Sequence, residues 1–218
     1  MDINILRNAL QAHVDVEQSK KMSAYMRDQF KYFGVPATLR REVSREFLKS
    51  DKKSDDLDWD FVFECFDVDQ REFQYIAMDY LDRHKAQLQL DDIEKLKRLI
   101  QTKSWWDTVD CLDSMVGVIV LKHPEAVDIM LKWSVDDDFW LRRVAIDHQM
   151  KFKNKTNTEV LSKVIINNFF QTEFFINKAI GWSLRECSKH NPEWVAEFLK
   201  EHKDNLSKLS YREASKRM

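Results

Sequence analysis

The chain has 218 residues, a mass of 26.2 kDa and a formal net charge of −2, with only three glycines and three prolines. Hairpins and β-sandwiches need Gly, Asn and Pro at their turns, so this composition excludes most β-rich folds and predicts an all-α protein. No run of about 18 apolar residues occurs and the amino terminus lacks a signal-peptide pattern, so we expect a cytoplasmic protein without a membrane span.

The cysteines and the charge distribution restrict the chemistry further. Cys65, Cys111 and Cys187 are odd in number and widely spaced, which predicts reduced, packed thiols rather than disulfides or a zinc site. The sequence contains no glycine-rich phosphate loop and no Ser, His and Asp arrangement, and we expect neither a metal nor a cofactor. The net charge argues against a polyanion partner, but residues 140–155 carry five cations and one acid, which allows one basic surface.

Short helices are predicted in the first 68 residues. Residues 2–13 have the spacing of an amphipathic helix, and its inward residues are Ile5, Leu6, Ala9 and Leu10. A second helix is predicted over residues 19–33, with Gly34 as the left-handed residue that ends it.

Pro36 separates that helix from the next one. A third helix is predicted over residues 38–49, and its outward residues are Arg40, Arg41 and Arg45. The acidic stretch at residues 50–56 predicts a solvated loop, and residues 57–66 predict a short aromatic-rich helix.

A period of 34 residues begins near residue 70. Ser104, Asp138 and Thr172 are good helix N-cap residues and are separated by 34 and 34 positions. Small residues recur at the same step at Ala77, Cys111, Ala145 and Ala179, and each is followed by a large apolar residue. Pro124 and Pro192 are 68 positions apart, and proline is favoured in the first turn of a helix. Each period therefore predicts a pair of helices.

One such pair cannot bury its apolar face alone, so neighbouring pairs must stack. Residues 70–205 thus predict four two-helix units in an α-solenoid with a concave face, closed by a capping helix at 206–218, within a single domain 1–218. The Trp, Leu-Gly, Tyr and Pro pattern of tetratricopeptide repeats is absent, which favours HEAT-like units.

The stretch KSWWDTVDCLD at residues 103–113 is the candidate site. Ser104 and Asp107 resemble a capping box, which predicts a helix start, and the core stripe of that helix is Trp105, Val109, Leu112, Val116 and Ile119. Trp106, Asp110 and Asp113 are off this stripe and share a second face, at spacings of four and three. Core packing does not explain an indole and two carboxylates on that face.

Positions where the repeats differ chemically are further candidates. Asp110, Arg143 and Trp182 each occupy a repeat position that holds other residue types in the neighbouring units. Lys178 and Arg185 lie four residues before and three residues after Trp182, so two cations flank an indole on one helix face.

Structural roles are the alternatives for these residues. Trp133 and Trp140 are expected in the core, and a lone His148 is expected to be structural. Asp110 could pair with Arg143 in a simple salt bridge, and Trp106 and Trp182 are as readily explained by packing as by a site.

Four motifs resemble the AlkD family of DNA alkylation repair glycosylases. They are REFQ (71–74), TKSWWDTVD (102–110), DDFWLRRVAI (137–146) and EFFINKAIGWSLRE (173–186). The resemblance covers nearly the whole chain. It implies a HEAT-like solenoid that cradles duplex DNA on its concave face and excises cationic alkylpurines, such as 3-methyladenine and 7-methylguanine, without flipping the base into a pocket.

The same resemblance implies roles for individual residues. The catalytic carboxylate falls on Asp110, the two cleft tryptophans on Trp106 and Trp182, and the active-site arginine on Arg143. DNA contacts are expected at Tyr25, Arg41, Lys151, Lys178 and Arg185.

Three functions follow from these observations. The leading hypothesis is a monomeric, cofactor-free DNA glycosylase that acts on duplex DNA. The second is a related protein that binds DNA weakly without excision, and the third is a protein-binding scaffold, which the low basicity favours.

Overall fold

The computed structural model describes residues 1–50 and 57–217, and the regular secondary structure in those ranges is helical without a β-strand. This confirms the predicted all-α class. None of the helices in the described ranges has the length and apolar character that crossing a membrane requires. Residues 51–56, most of the predicted acidic loop, lie outside the described residues. The chain divides into two compact units, Met1–Gln87 and Leu88–Met218.

The first unit contains five helices among its described residues. They are α1 (Ile3–Gln11), α2 (Val16–Tyr25), α3 (Ala37–Ser50), α4 (Trp59–Asp67) and α5 (Arg71–His84). Helices α1, α2 and α4 begin where an aspartate side chain accepts a hydrogen bond from a free amide of the first turn, at Asp2, Asp15 and Asp58.

The second unit contains eight α-helices in its described part. They are α6 (Ile93–Ile100), α7 (Trp106–Lys122), α8 (Val127–Trp133), α9 (Phe139–Asp147), α10 (Thr158–Ile166), α11 (Phe174–Cys187), α12 (Pro192–Glu201) and α13 (Lys208–Ala214). Helix α7 packs on α9, α9 on α11, and α11 on α13. Packing of alternate helices in chain order is the arrangement of a helical repeat array.

The core of the second unit follows the predicted pattern. Four residues of the predicted α7 stripe are buried, namely Val109, Leu112, Val116 and Ile119. Trp133 and Trp140 are buried, as expected for core tryptophans. The three cysteines are free thiols, and Cys65 and Cys187 are buried.

The predicted helix start at Ser104 is wrong. Trp105 is the N-cap of α7, and the Ser104 hydroxyl instead donates to the carbonyl oxygen of Ile100 at 2.6 Å. Lys103 adopts a left-handed conformation with φ 49°, which turns the chain between the two helices. Ser104 therefore satisfies a carbonyl at the end of α6 rather than an amide at the start of α7.

The other predicted starts of the second unit differ in accuracy. Asp138 caps α9 as predicted, accepting from the amide of Trp140 at 2.9 Å. Thr172 does not cap α11, because the carboxylate of Glu173 takes that place. Pro192 is the first residue of α12, as predicted, whereas Pro124 begins a short 3-10 helix, Pro124–Ala126, that leads into α8.

The predicted extent of α2 is also wrong. The helix ends at Tyr25, because Arg27 and Asp28 take left-handed φ values of 56° and 57°. Gly34 is left-handed as expected, with φ 90°, but it lies in the loop before α3. A Cβ atom there would be 2.0 Å from the carbonyl oxygen of Asp15, so only glycine fits.

Two side chains of the first unit have the opposite exposure to that predicted. Ile5 is 59% exposed, since the buried stripe of α1 runs through Ile3, Leu6 and Leu10. Arg40 is buried, because its guanidinium lies 4.7 Å from the ring centroid of Tyr75 and 3.3 Å from a carboxylate oxygen of Asp79.

The REFQ motif has a structural role in the first unit. The guanidinium of Arg71 lies 3.8 Å from the ring centroid of Phe30. The buried carboxylate of Glu72 accepts hydrogen bonds from the three backbone amides of residues 33–35, at 2.9 to 3.2 Å. Gln74 donates to carbonyl groups at the end of α4. The motif therefore fixes two loops of this unit.

Candidate active site in the second unit

Asp110 lies on the first turns of α7, four residues after Trp106. Because Val109 and Leu112 anchor this helix in the core, Asp110 projects from another face, and its side chain remains 27% exposed. Trp106 is half-buried and is the first residue of the helix. The predicted pairing of an indole and a carboxylate on one face is therefore present.

Arg143 of α9 holds Asp110 with both ends of its guanidinium fork. Its Nε donates to Oδ1 at 2.8 Å and its Nη2 donates to Oδ2 at 2.9 Å. Nη1 donates to the carbonyl oxygen of Phe175 in the first turn of α11 at 2.6 Å. Burial disfavours the guanidinium charge, but the carboxylates of Asp147 and Asp110 outweigh it, so the pKa of Arg143 is raised. A two-bond ion pair of this kind fixes the carboxylate orientation.

Trp182 of α11 lies beside this ion pair. The guanidinium carbon of Arg143 is 5.6 Å from the indole centroid, and the ammonium nitrogen of Lys178 is 5.0 Å from it. Trp182 is half-buried, so part of the ring is accessible. The structure thus brings Asp110, Arg143 and Trp182 together from the alternate helices α7, α9 and α11.

A cavity of about 230 Å³ opens next to these residues. It is lined by Asp110, Asp113, Asp147, Met150, Lys151, Trp182 and Glu186. The lining combines four carboxyl side chains, one ammonium group and one indole, which favours a positively charged or polar occupant.

Asp113 lines the same cavity as Asp110, but its side chain is buried. It is only 7% exposed, and burial, together with the charges of Asp147 and Asp110, raises its pKa well above the usual range of aspartate. Burial and these neighbouring charges therefore disfavour the ionised form of the Asp113 carboxyl. We assign it no role in a reaction.

Asp147, the last residue of α9, was missed by the sequence analysis. It is 1% exposed, and burial raises its pKa to about 6 despite the nearby charge of Arg143. Two signals were available in the sequence. Asp147 follows Arg143 by four residues, and Asp79, Asp113 and Asp147 recur at the repeat step of 34.

Two predicted DNA contacts are engaged within the protein. Lys178 and Arg185 lie 3.2 and 3.1 Å from carboxylate oxygens of Glu213 on α13. Lys216 also binds this carboxylate, and hydrogen bonds from Lys216 and Lys178 lower the pKa of Glu213 to about 2. Lys151, by contrast, is exposed at the edge of the cavity.

Comparison with known proteins decides the family. The family model described as DNA alkylation repair enzyme matches residues 6–218. The chain belongs to the DNA alkylation repair enzyme family. A solved structure described as a predicted DNA alkylation repair enzyme from Enterococcus faecalis is 37% identical, with a TM-score of 0.86 over 94% of this chain and 96% of that chain. No curated protein matches the chain.

Membership of the DNA alkylation repair enzyme family implies a DNA substrate and confirms the resemblance found in the motifs. The helical repeat fold is likewise shared with the Enterococcus faecalis structure. The predicted residue roles in this alkylation repair protein stay predictions.

The first unit of this alkylation repair protein contains the two remaining predicted contacts. Tyr25 is 71% exposed at the end of α2, and Arg41 is exposed with its Nε 3.4 Å from Asp79. A separate cavity of about 470 Å³ in this unit is lined by Gln18, Lys21, Met22, Tyr25, Met26, Tyr32, Ala37, Arg40 and Tyr75. Tyr25 is therefore accessible, whereas Arg41 already has an acidic neighbour.

Proposed function

We propose that this DNA alkylation repair enzyme is a monofunctional glycosylase. It hydrolyses the N-glycosidic bond of cationic alkylpurines such as 3-methyladenine and 7-methylguanine in duplex DNA, without a cofactor and without flipping the base into a pocket. The observation that carries this proposal is the partly exposed carboxylate of Asp110, which two hydrogen bonds from Arg143 hold at the edge of an acidic cavity.

In the proposed hydrolysis the leaving group is already positively charged. A cationic alkylpurine departs as a neutral base, so the enzyme needs no general acid. The sugar develops oxocarbenium character, and a carboxylate next to it stabilises that charge and orients the attacking water. Asp110 is the group we propose for both tasks.

Arg143 is proposed to fix the direction of that carboxylate. Because both oxygens of Asp110 and one backbone carbonyl, that of Phe175, accept from the same guanidinium, the carboxylate needs little reorganisation when the sugar becomes positive. The arginine is itself 2% exposed, so its side chain is held by packing as well.

Trp106 and Trp182 are proposed to contact the deoxyribose. Indole faces carry negative electrostatic potential and attract cations. The cationic groups of Lys178 and Arg143 already lie within 6 Å of the Trp182 ring centroid, which supports the proposal that this ring can also lie beside a positively charged sugar.

Lys151 is the proposed main phosphate contact of the second unit, because it is exposed at the edge of the cavity. Lys178 and Arg185 are proposed as weaker contacts, since Glu213 holds both of them. Tyr25 and Arg41 are proposed as contacts made by the first unit. We also propose that the protein acts as a monomer in the cytoplasm, and sedimentation velocity tests the oligomeric state.

Asp110→Asn tests the proposed function. Single-turnover release of 7-methylguanine from a duplex should fall by on the order of 10²- to 10³-fold, because removing one group that stabilises transition-state charge lowers the rate of an enzyme by about this factor. Affinity for the same duplex should stay within about twofold, because the substitution removes no phosphate contact.

The matched control is Asp128→Asn, an exposed aspartate on α8, which should excise at the wild-type rate. Full excision by Asp110→Asn would refute the assignment of the carboxylate. Absence of base release by the wild-type protein would refute the glycosylase itself.

A second candidate is a DNA-binding protein of the same family that does not excise. The engagement of Lys178 and Arg185 by Glu213 favours this alternative, since it leaves fewer free cations for phosphates. Salt-dependent binding of duplex DNA without release of 7-methylguanine is its signature.

A further inference from the structure

The ion pair between Asp110 and Arg143 creates an electrostatic difficulty. A carboxylate and a guanidinium joined by two hydrogen bonds have no net charge, and a neutral pair attracts a cation less than a free carboxylate does. Stabilising a positively charged sugar therefore calls for a further negative charge close to the guanidinium.

Asp147 lies where that charge is required. Its Oδ2 is 3.7 Å from Nη2 of Arg143, the same nitrogen that donates to Asp110. Its Oδ1 accepts a hydrogen bond from the hydroxyl of Ser183 on α11 at 2.8 Å. Oδ2 is buried without a hydrogen-bond partner, and Asp147 lines the same cavity as Asp110.

We infer that Asp147 acts through Arg143 in the proposed glycosylase. The negative charge of Asp147 compensates the positive charge of the Arg143 guanidinium, so that Asp110 still attracts a cationic sugar. This inference rests on the proposed function. With Asp110 and Asp147 ionised, the cluster of these two carboxylates and the Arg143 guanidinium carries one net negative charge. The low polarity around these buried groups strengthens the attraction between this negative charge and a cationic sugar.

The other two acids of the cavity do not supply this charge. Burial and the charges of Asp147 and Asp110 raise the pKa of Asp113 well above the usual range of aspartate, so its ionised form is disfavoured relative to that of Asp147. Glu186 of α11 is half-exposed and its carboxylate is bound by the ammonium group of Lys189, so solvent and Lys189 both screen it.

The charge of Asp147 should depend on pH. The groups that face it are Asp110 and Asp113 from α7, Arg143 on its own helix, Ser183 and Glu186 from α11, and His148 and Lys151 just after α9. Burial raises the pKa of Asp147 to about 6, while Arg143 and the Ser183 hydroxyl lower it. Asp147 is therefore ionised above this pH and neutral below it.

Paired DNA duplexes measure the effect without needing turnover. One duplex carries a pyrrolidine in place of the target nucleotide, which is a cation of sugar size, and the other carries the neutral tetrahydrofuran analogue. The ratio of the two dissociation constants reports attraction for the charge alone, since both duplexes make the same phosphate contacts. The wild-type protein should prefer the cationic duplex at pH 7.5.

Asp147→Asn should lower this preference by about tenfold, which corresponds to about 1.4 kcal/mol. Asp128→Asn is the matched control, because it removes an exposed carboxylate of α8 outside the cavity lining, and its preference should stay near the wild-type value. In the wild-type protein the preference should fall as the pH drops through about 6. A merely structural role for Asp147 would not produce this midpoint.

Ser183→Ala provides a second variant that keeps the carboxyl group. Loss of the hydrogen bond to Oδ1 removes support for the ionised form, so the pH midpoint should move upward. This variant also tests the inference if Asp147→Asn fails to fold.

The outcomes separate this inference from the proposed function. An unchanged preference in Asp147→Asn, a wild-type protein that does not prefer the cationic duplex, or a midpoint unaffected by Ser183→Ala each overturns the role of Asp147. Release of 7-methylguanine by the wild-type protein is scored separately, so a protein that excises can still refute the role of Asp147, and one that does not excise can still support it.

Discussion

Buried ionisable side chains distinguish the candidate site at the scale of single residues. Asp110, Arg143 and Trp182 were predicted because they break the chemistry of their repeat positions, and the structure brings them together. The raised pKa values of Asp147 and Asp113 could not be predicted in the same way. Their properties arise from burial among charges of neighbouring helices, which a one-dimensional pattern does not contain.

His148 illustrates how burial couples protonation to stability. Burial lowers its pKa to about 4 from the ordinary 6.5, and its Nδ1 lies 2.7 Å from the carbonyl oxygen of Ala145. Between these two pH values the unfolded chain binds a proton at His148 and the folded protein does not. The stability that comes from keeping the imidazole neutral is therefore fully present above pH 6.5 and is lost as the pH falls toward 4.

His148→Gln should remove that dependence. From pH 7 to pH 5 the wild-type protein should lose about 2 kcal/mol more free energy of unfolding than the variant, as follows from a folded pKa of about 4. Urea unfolding at the two pH values measures the difference. His190→Gln, at an exposed histidine, is the control. Equal losses in the wild type and His148→Gln would contradict the prediction.

Close approach of α11 and α13 is the decisive feature at the scale of elements. A Cβ atom on Gly181 would be 2.5 Å from the Cβ of Glu213 and 2.9 Å from the carbonyl oxygen of Ser210. Glycine therefore allows the contact that places Glu213 against Lys178 and Arg185. The EFFINKAIGWSLRE motif at residues 173–186 thus combines a packing residue, Gly181, with a candidate site residue, Trp182.

Gly181→Ala should lower the free energy of unfolding by about 1 to 3 kcal/mol, since the added methyl group overpacks a helix contact. Alanine is otherwise the better helix former, so a destabilised variant isolates the packing effect. Urea denaturation monitored by circular dichroism is the measurement, with Glu197→Ala on the exposed side of α12 as the control. A variant as stable as the wild type would show that α11 and α13 can move apart without a loss in the free energy of unfolding.

Elements were predicted more accurately than their ends. The helical class and the core stripe of α7 followed from composition and from spacings of three and four. Ser104 failed as a cap because a hydroxyl can also donate, and it donates to the carbonyl oxygen of Ile100 at the end of α6. Helix α2 ended early because Arg27 and Asp28 are left-handed, which their residue types do not specify.

The whole molecule carries a net charge of −2, an unusual property for a protein whose family implies a DNA substrate. Binding must then depend on a few local cations, and the structure leaves Lys151 exposed while Glu213 engages Lys178 and Arg185. Motifs identified the family over the whole chain, but they did not reveal which of these cations are occupied internally.

Lys151→Ala should weaken duplex binding and reduce the slope of log K against log salt concentration by about 0.9, the value for one phosphate contact. Fluorescence anisotropy between low and moderate salt gives the slope. Lys163→Ala removes an exposed charge from α10, outside the cavity lining, and should leave the slope unchanged. The same slope in all three proteins would exclude Lys151 from the DNA contact.

The guanidinium of Arg143 also limits how this chain can evolve. Repeat proteins commonly gain or lose whole units, because each unit contacts only its neighbours. Here one side chain on α9 binds a carboxylate on α7 and a backbone carbonyl on α11. A duplication or deletion between α7 and α11 would leave the arginine without one of its anchors, so natural length variation in this lineage should be confined to segments outside these three helices.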